Sequence, residues 1–70
     1  MENLIKEYRE KKGFSQGKLA ELCSVSRQTI NAIENNKYDP SLTLAFQLAN
    51  SLSVTVDQLF LYESKGDVKK

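Results

Sequence analysis

Apolar side chains recur three and four residues apart along this chain, and short polar breaks separate the runs. That spacing predicts short amphipathic helices joined by tight turns. Leu4, Ile5 and Tyr8 make the first stripe. Gly13, after Lys11 and Lys12, stands where a left-handed glycine ends a helix, so a first helix is predicted over about 2–12. Ser15 is a natural N-cap, with Phe14 before it in the staple position and Leu19, Leu22 and Cys23 after it, which predicts a second helix over about 16–23. Lys18 occupies the place where a capping box carries Glu or Gln. A cation there meets the positive end of the helix, an unfavourable arrangement unless a phosphate lies nearby.

Ser24, Val25 and Ser26 form the next break, and Ser26 caps a third helix whose core stripe is Ile30 and Ile33. The loop that follows ends at Pro40, which favours a helix start, with Ser41 as the alternative cap; Asn36 is its expected left-handed residue. Leu44 with Leu48, and Ala45 with Ala49 and Leu52, predict a fourth helix over about 41–51. Thr55 then caps a last segment that Leu59 and Phe60 close onto the core. Residues 1–62 are expected to form one domain and 63–70 a flexible charged tail. No internal repeat and no convincing strand stands out, so the fold class is all-α.

Seventy residues bury only ~60% of the unfolded surface, which leaves one modest core and no deep enclosed active site. The formal charge of +1, from ten Lys and Arg against nine Asp and Glu, excludes a polybasic condenser but permits a local basic face. Cys23 is the lone cysteine and histidine is absent, so neither an internal disulfide nor a soft-ligand metal site can form. The same poverty removes the common nucleophile-base pairs, and an enzyme is not expected. Gly13 and Gly17 are too sparse, and too helical in context, for a phosphate-binding loop. No cofactor or small-molecule ligand is implied. The charged first dozen residues are unlike a signal peptide, and no apolar run approaches the roughly 18 residues of a membrane span. A cytoplasmic protein without a membrane partner is expected.

One constellation rises above this background. Two short capped helices, Ser15 to Cys23 and Ser26 to Asn35, are separated by a turn of a few residues, the geometry of a helix-turn-helix. The outward side of the second helix reads Arg27, Gln28, Asn31 and Ala32, with the Thr29 methyl beside them. Arg pairs with guanine, Gln and Asn pair with adenine, and small apolar groups meet the thymine methyl. An exposed helix of any helical interaction domain is also polar, so on residues alone both readings stay open.

Residues 4–60, through "IKEYREKKGFSQGKLAELCSVSRQTINAIENNKYDPS" and "LTLAFQLANSLSVTVDQLF", resemble the Cro/C1-type helix-turn-helix family, also called XRE, of transcriptional regulators. The resemblance implies a five-helix, lambda-repressor-like DNA-binding domain. It implies base contacts from Arg27, Gln28, Thr29, Asn31 and Ala32 and phosphate contacts from Gln16, which also braces the recognition helix, and from Asn35 and Lys37, to which Lys18 is added by its place at a helix start. It further implies an ion pair between Arg9 and Glu34, and a homodimer whose contacts involve Val56, Leu59, Phe60, Leu61 and Tyr62. Ser24, Ser53 and Asn36 replace glycines common in the family, so left-handed backbone is expected at all three. The small Ala32, where many members carry a long polar side chain, weakens the expected base readout. The function implied is a double-stranded DNA-binding regulator, a repressor occupying a partly palindromic operator. An antitoxin of a toxin-antitoxin pair, or an interaction module that has lost DNA binding, are the alternatives.

Overall fold

Hydroxyl caps start four of the helices. In the computed structural model, which describes residues 1–62, Ser15, Ser26, Ser41 and Thr55 accept the backbone N–H of Lys18, Thr29, Leu44 and Gln58 respectively. Each satisfies an amide that the first helical turn leaves unpaired. The helices they open are α2 (Gln16–Leu22), α3 (Arg27–Glu34), α4 (Leu42–Ser51) and α5 (Val56–Leu59). Thr55 and Gln58 complete a reciprocal capping box on α5, whereas Lys18 at the matching place in α2 returns nothing. Of the two starts open for the fourth helix, Pro40 or a cap at Ser41, the structure takes the second, with Ser41 as N-cap and Leu42 as the first helical residue. The expected tail over 63–70 lies outside the described residues.

α1 (Ile5–Lys12) begins later than its apolar stripe predicts. The physical reason is a competing partner for the backbone. Leu4 N–H donates to Leu59 O at 2.8 Å and Leu61 N–H to Glu2 O at 2.9 Å, with Asn3 and Phe60 forming an isolated antiparallel bridge. Residues 2–4 are therefore paired with the end of α5 instead of lying inside α1, and Leu4 becomes the N-cap of that helix. Gly13 closes α1 in the left-handed conformation at φ 76°.

The expected all-α, five-helix architecture is present, with α2 and α3 packed as a helix-turn-helix and α5 folded back on α4. Ile5, Leu19, Ile30, Ile33, Leu48, Leu52 and Leu59 are fully buried and form one core. Cys23 belongs to that core. Burial pushes its thiol above the ordinary pKa, while the Ser51 hydroxyl at 3.7 Å acts in the opposite direction.

A local repeat escaped the reading of the sequence. Leu19, Ala20, Cys23, Ser24 and Val25 at the end of α2 have counterparts in Leu48, Ala49, Leu52, Ser53 and Val54 at the end of α4. Cys23 N–H points to Leu19 and Ala20 carbonyls as Leu52 N–H does to those of Leu48 and Ala49. Val25 N–H reaches Ala20 O, and Val54 N–H reaches Ala49 O, both at 3.0 Å. Ser24 and Ser53 sit at φ 58° and 61°, in the left-handed region expected of them.

Candidate nucleic-acid interface

Ile30 and Ile33 pull one side of α3 into the core, which fixes the opposite side outward by helical periodicity. Arg27, Gln28 and Asn31 are exposed there, and Thr29 and Ala32 are half-buried. The Thr29 hydroxyl is 3.0 Å from the Ser26 hydroxyl, inside the cap, so its methyl is the part left for an outside contact. Gln16, from the start of α2, joins Arg27, Gln28 and Asn31 around one shallow open groove. Lys18, Asn35 and Lys37 are exposed but do not line it.

The groove is braced from below by a charged network. Arg9 Nε donates to Glu34 Oε2 at 2.7 Å and Arg9 Nη2 to Glu34 Oε1 at 3.3 Å, with the two side chains only 10% and 6% exposed. Arg9 Nη1 donates to Phe14 O at 2.9 Å. Gln16 Nε2 donates to the same Glu34 Oε1 at 3.0 Å. The ion pair therefore ties α1 to the last residue of α3 and orients the first residue of α2. One N–H of the Gln16 amide remains free of Glu34, because a primary amide carries two.

Past α3 the chain reverses through Asn36 at φ 61°. Asn36 N–H donates to Ile33 O at 3.1 Å and Lys37 N–H to Ala32 O at 2.9 Å, the reciprocal pattern that satisfies the last carbonyls of a helix. Asn35 Nδ2 donates to Asn31 O at 3.0 Å and to Asn31 Oδ1 at 3.2 Å, so both amides are partly committed to each other.

The residues expected at a dimer contact separate into two groups. Leu59, at 0% exposure, is sealed in the chain's own core and offers no surface, a correction to the expectation for that residue, while Phe60 at 9% shows only an edge, since the short α5 needs both to seal against α4 and the N-terminal segment. Leu61 at 44% and Tyr62 at 80% are exposed, and Val56 is half-buried. Two residues of the same tract were missed: Leu42 and Phe46, at 71% and 57% exposure. Their spacing of one helical turn was visible, but the stripe of Leu44, Ala45, Leu48 and Ala49 already accounted for α4 and left the second stripe unassigned. Met1, Leu42, Val56 and Phe60 line one shallow depression, Met1, Leu61 and Tyr62 a second, and Phe46, Val54 and Val56 a third. Shared lining residues make these one continuous apolar tract. Among the described residues no cluster could hold a metal ion, and no helix is long and apolar enough to cross a membrane.

Comparison with known proteins decides the family. The family model described as helix-turn-helix matches residues 5–59, the stretch from the first buried residue of α1 to the last of α5. The chain belongs to the Cro/C1-type, or XRE, family of helix-turn-helix transcriptional regulators. It is 49% identical over 63 residues to an uncharacterized HTH-type transcriptional regulator of Methanocaldococcus jannaschii, covering 90% of this chain and 96% of that protein. Among solved structures it is similar to the restriction-modification controller protein C.AhdI from Aeromonas hydrophila, with TM-score 0.75, 32% identity, and coverage of 80% and 85% of the two chains. It is also similar to SinR, the master regulator for biofilm formation, solved in complex with DNA, with TM-score 0.69, 36% identity, and coverage of 74% and 84%. Membership of the Cro/C1-type family makes the chain a DNA-binding regulator of transcription. In the terms of that family α3 is the recognition helix.

Proposed function

We propose that this regulator binds a partly palindromic operator in double-stranded DNA as a homodimer and represses by occupying a promoter. Arg27 and Gln28, in the first turn of the recognition helix, read base edges in the major groove, with Thr29, Asn31 and Ala32 flanking them. Gln16, Lys18, Asn35 and Lys37 hold register on phosphates. The observation that carries the reading is the groove shared by Gln16, Arg27, Gln28 and Asn31, whose donors and acceptors stand on a helix fixed from beneath by a buried ion pair. The likeness to SinR, a protein solved with DNA, supports it.

Pairing of two copies is supported by the apolar tract of Leu42, Phe46, Val56, Leu61 and Tyr62. Residues 40–62 carry only Asp57 as a formal charge, and of the charged groups that line the tract from elsewhere, Glu2, Asp39 and the Met1 amine, the last two are paired at 2.8 Å, so a two-fold partner meets few charges on this face. A single domain this small buries too little DNA interface to be both tight and selective, which favours a dimer.

The test begins with selection of bound duplexes from a random-sequence pool, followed by titrations across salt. Arg27→Ala is expected to lose ~1–3 kcal/mol on the selected duplex and much less on a duplex altered at the contacted base pair. Lys37→Ala is expected to weaken all duplexes alike and to lower the slope of log K against log salt by about one. A uniform loss for Arg27→Ala would make it a backbone contact and end the proposed division of labour.

A further inference from the structure

The side-chain amide of Asn3 reaches α1, the end of α3 and the loop that follows it. Its backbone lies in the bridge to Phe60, flanked by the Leu4 N–H bond to Leu59 O and the Leu61 N–H bond to Glu2 O. Its Oδ1 accepts the N–H of Ile5, the first residue of α1, at 3.1 Å. Its Nδ2 donates to Ile33 O at 2.9 Å in a part-buried bond, and lies 3.4 Å from Asn36 Oδ1 and 3.2 Å from Met1 O.

Ile33 O is not an ordinary helical carbonyl. It also accepts Asn36 N–H at 3.1 Å, at the point where the backbone goes left-handed and turns out toward Lys37. A carbonyl has two lone pairs, and here one is filled by the helix cap and the other by the Asn3 amide. The reversal that launches Lys37 is thus fastened from behind to a segment that belongs to the far end of the fold. Besides that fastening, the path of the loop is set by the cap's own bonds, by the Lys37 N–H bond to Ala32 O, and further on by the exposed ion pair of the Met1 amine with Asp39 at 2.8 Å.

We propose that Asn3 is a positioning residue for DNA binding. It holds the Asn36–Lys37 reversal against the Leu59–Leu61 segment, so that Lys37 stands at a fixed distance from a phosphate while Arg27 is in the groove. The proposal rests on the reading of Lys37 as a phosphate contact given above. It also joins the two halves of that reading, because the segment carrying exposed Leu61 and Tyr62 is hydrogen-bonded to the residues that carry the fastening.

The discriminating variant is Asn3→Ser. A serine hydroxyl can still accept the N–H two residues on, as the asparagine does, but is too short to reach Ile33 O. Binding is measured across salt on the duplex recovered by selection and on a scrambled duplex, for wild type, Asn3→Ser, Lys37→Ala and the double variant. Asn3→Ser is expected to bind every duplex about five- to tenfold more weakly, with the salt slope lower by about one. In the Lys37→Ala background it is expected to add nothing, since the contact it positions is already gone. Amide exchange at Asn36 and Lys37 in the free protein is expected to quicken, while exchange at Val54 in the matching turn stays unchanged. Unchanged affinity and slope for Asn3→Ser overturn the proposal, as do full additivity with Lys37→Ala or a loss confined to the selected duplex. If Lys37→Ala itself leaves binding unaltered, the phosphate-contact reading fails first and the proposal fails with it.

Discussion

After α2 the chain turns through Ser24 at φ 58° into a helix that shows Arg27, Gln28 and Asn31 to solvent. After α4 it turns through Ser53 at φ 61° into a helix that sinks Leu59, with Phe60 just beyond it, into the core. The two turns share their hydrogen bonds, their hydroxyl caps and a buried residue at the cap, Cys23 in one and Leu52 in the other. Beyond the cap, only one early position keeps its character, Ile30 in α3 and Leu59 in α5, both fully buried. Arg27, Gln28 and Thr29 face Val56, Asp57 and Gln58 across the comparison. A turn of this kind dictates a crossing angle and one anchoring side chain; it leaves the outward face free, and chemistry is written there.

The second difference is how each helix end is secured. α3 ends on Glu34, whose carboxylate is buried and bonded to Arg9 and Gln16. α5 has no buried charge and ends on backbone pairing with residues 2–4. Its Asp57 is exposed, accepting the Thr55 hydroxyl at the start of the helix.

That contrast gives the largest expected effect. Glu34→Ala leaves the Arg9 guanidinium buried with only the Phe14 carbonyl, and is expected to cost about 3 kcal/mol or more. Asp57→Ala loses an exposed bond and a favourable charge at a helix N-terminus, and is expected to cost about 0.5 kcal/mol. Urea unfolding of both variants beside wild type checks the pair. Equal losses would mean that the two hinges are secured alike.

A smaller effect tests the likeness of the turns. A non-glycine residue in the left-handed region costs ~1–2 kcal/mol, part of which glycine gives back through its freer unfolded chain. Ser24→Gly is expected to raise stability by about 0.5–1 kcal/mol. Ser53→Gly gains a few tenths less, because the Lys12 Nζ bond to Ser53 Oγ at 2.8 Å is lost with the hydroxyl. Thermal melts read both, and destabilisation by either glycine would refute the account of strain at the turns.

Much of this was legible in the sequence because it depends on local chemistry. Ser15, Ser26 and Thr55 announce helix starts through hydroxyls that reach an amide three residues on. Gly13 and Asn36 announce helix ends through their tolerance of positive φ. The pairing of residues 2–4 with the end of α5 was not legible, since Leu4, Ile5 and Tyr8 fit a helix by themselves and only the distant Leu59 and Leu61 draw the backbone away. Burial of Leu59 and Phe60 was readable as core, yet the same run was also expected at a dimer contact, and periodicity cannot assign one side chain to two neighbours. Gln16's bond to Glu34 depends on tertiary approach, so residue spacing carries no sign of it and only the family resemblance implied that Gln16 braces the recognition helix.

The pairing of residues 2–4 with Leu59–Leu61 joins segments separated by nearly the whole described chain, and this bears on the order of assembly. Both turns are local and close small loops, whereas this seam closes the largest loop in the fold, against the greatest chain entropy. The seam is expected to form after the folding barrier, when the hinges are already built. Weakening it then speeds unfolding and barely slows folding, a signature readable in the two limbs of a stopped-flow chevron. A slowed folding limb would instead put the seam inside the nucleus.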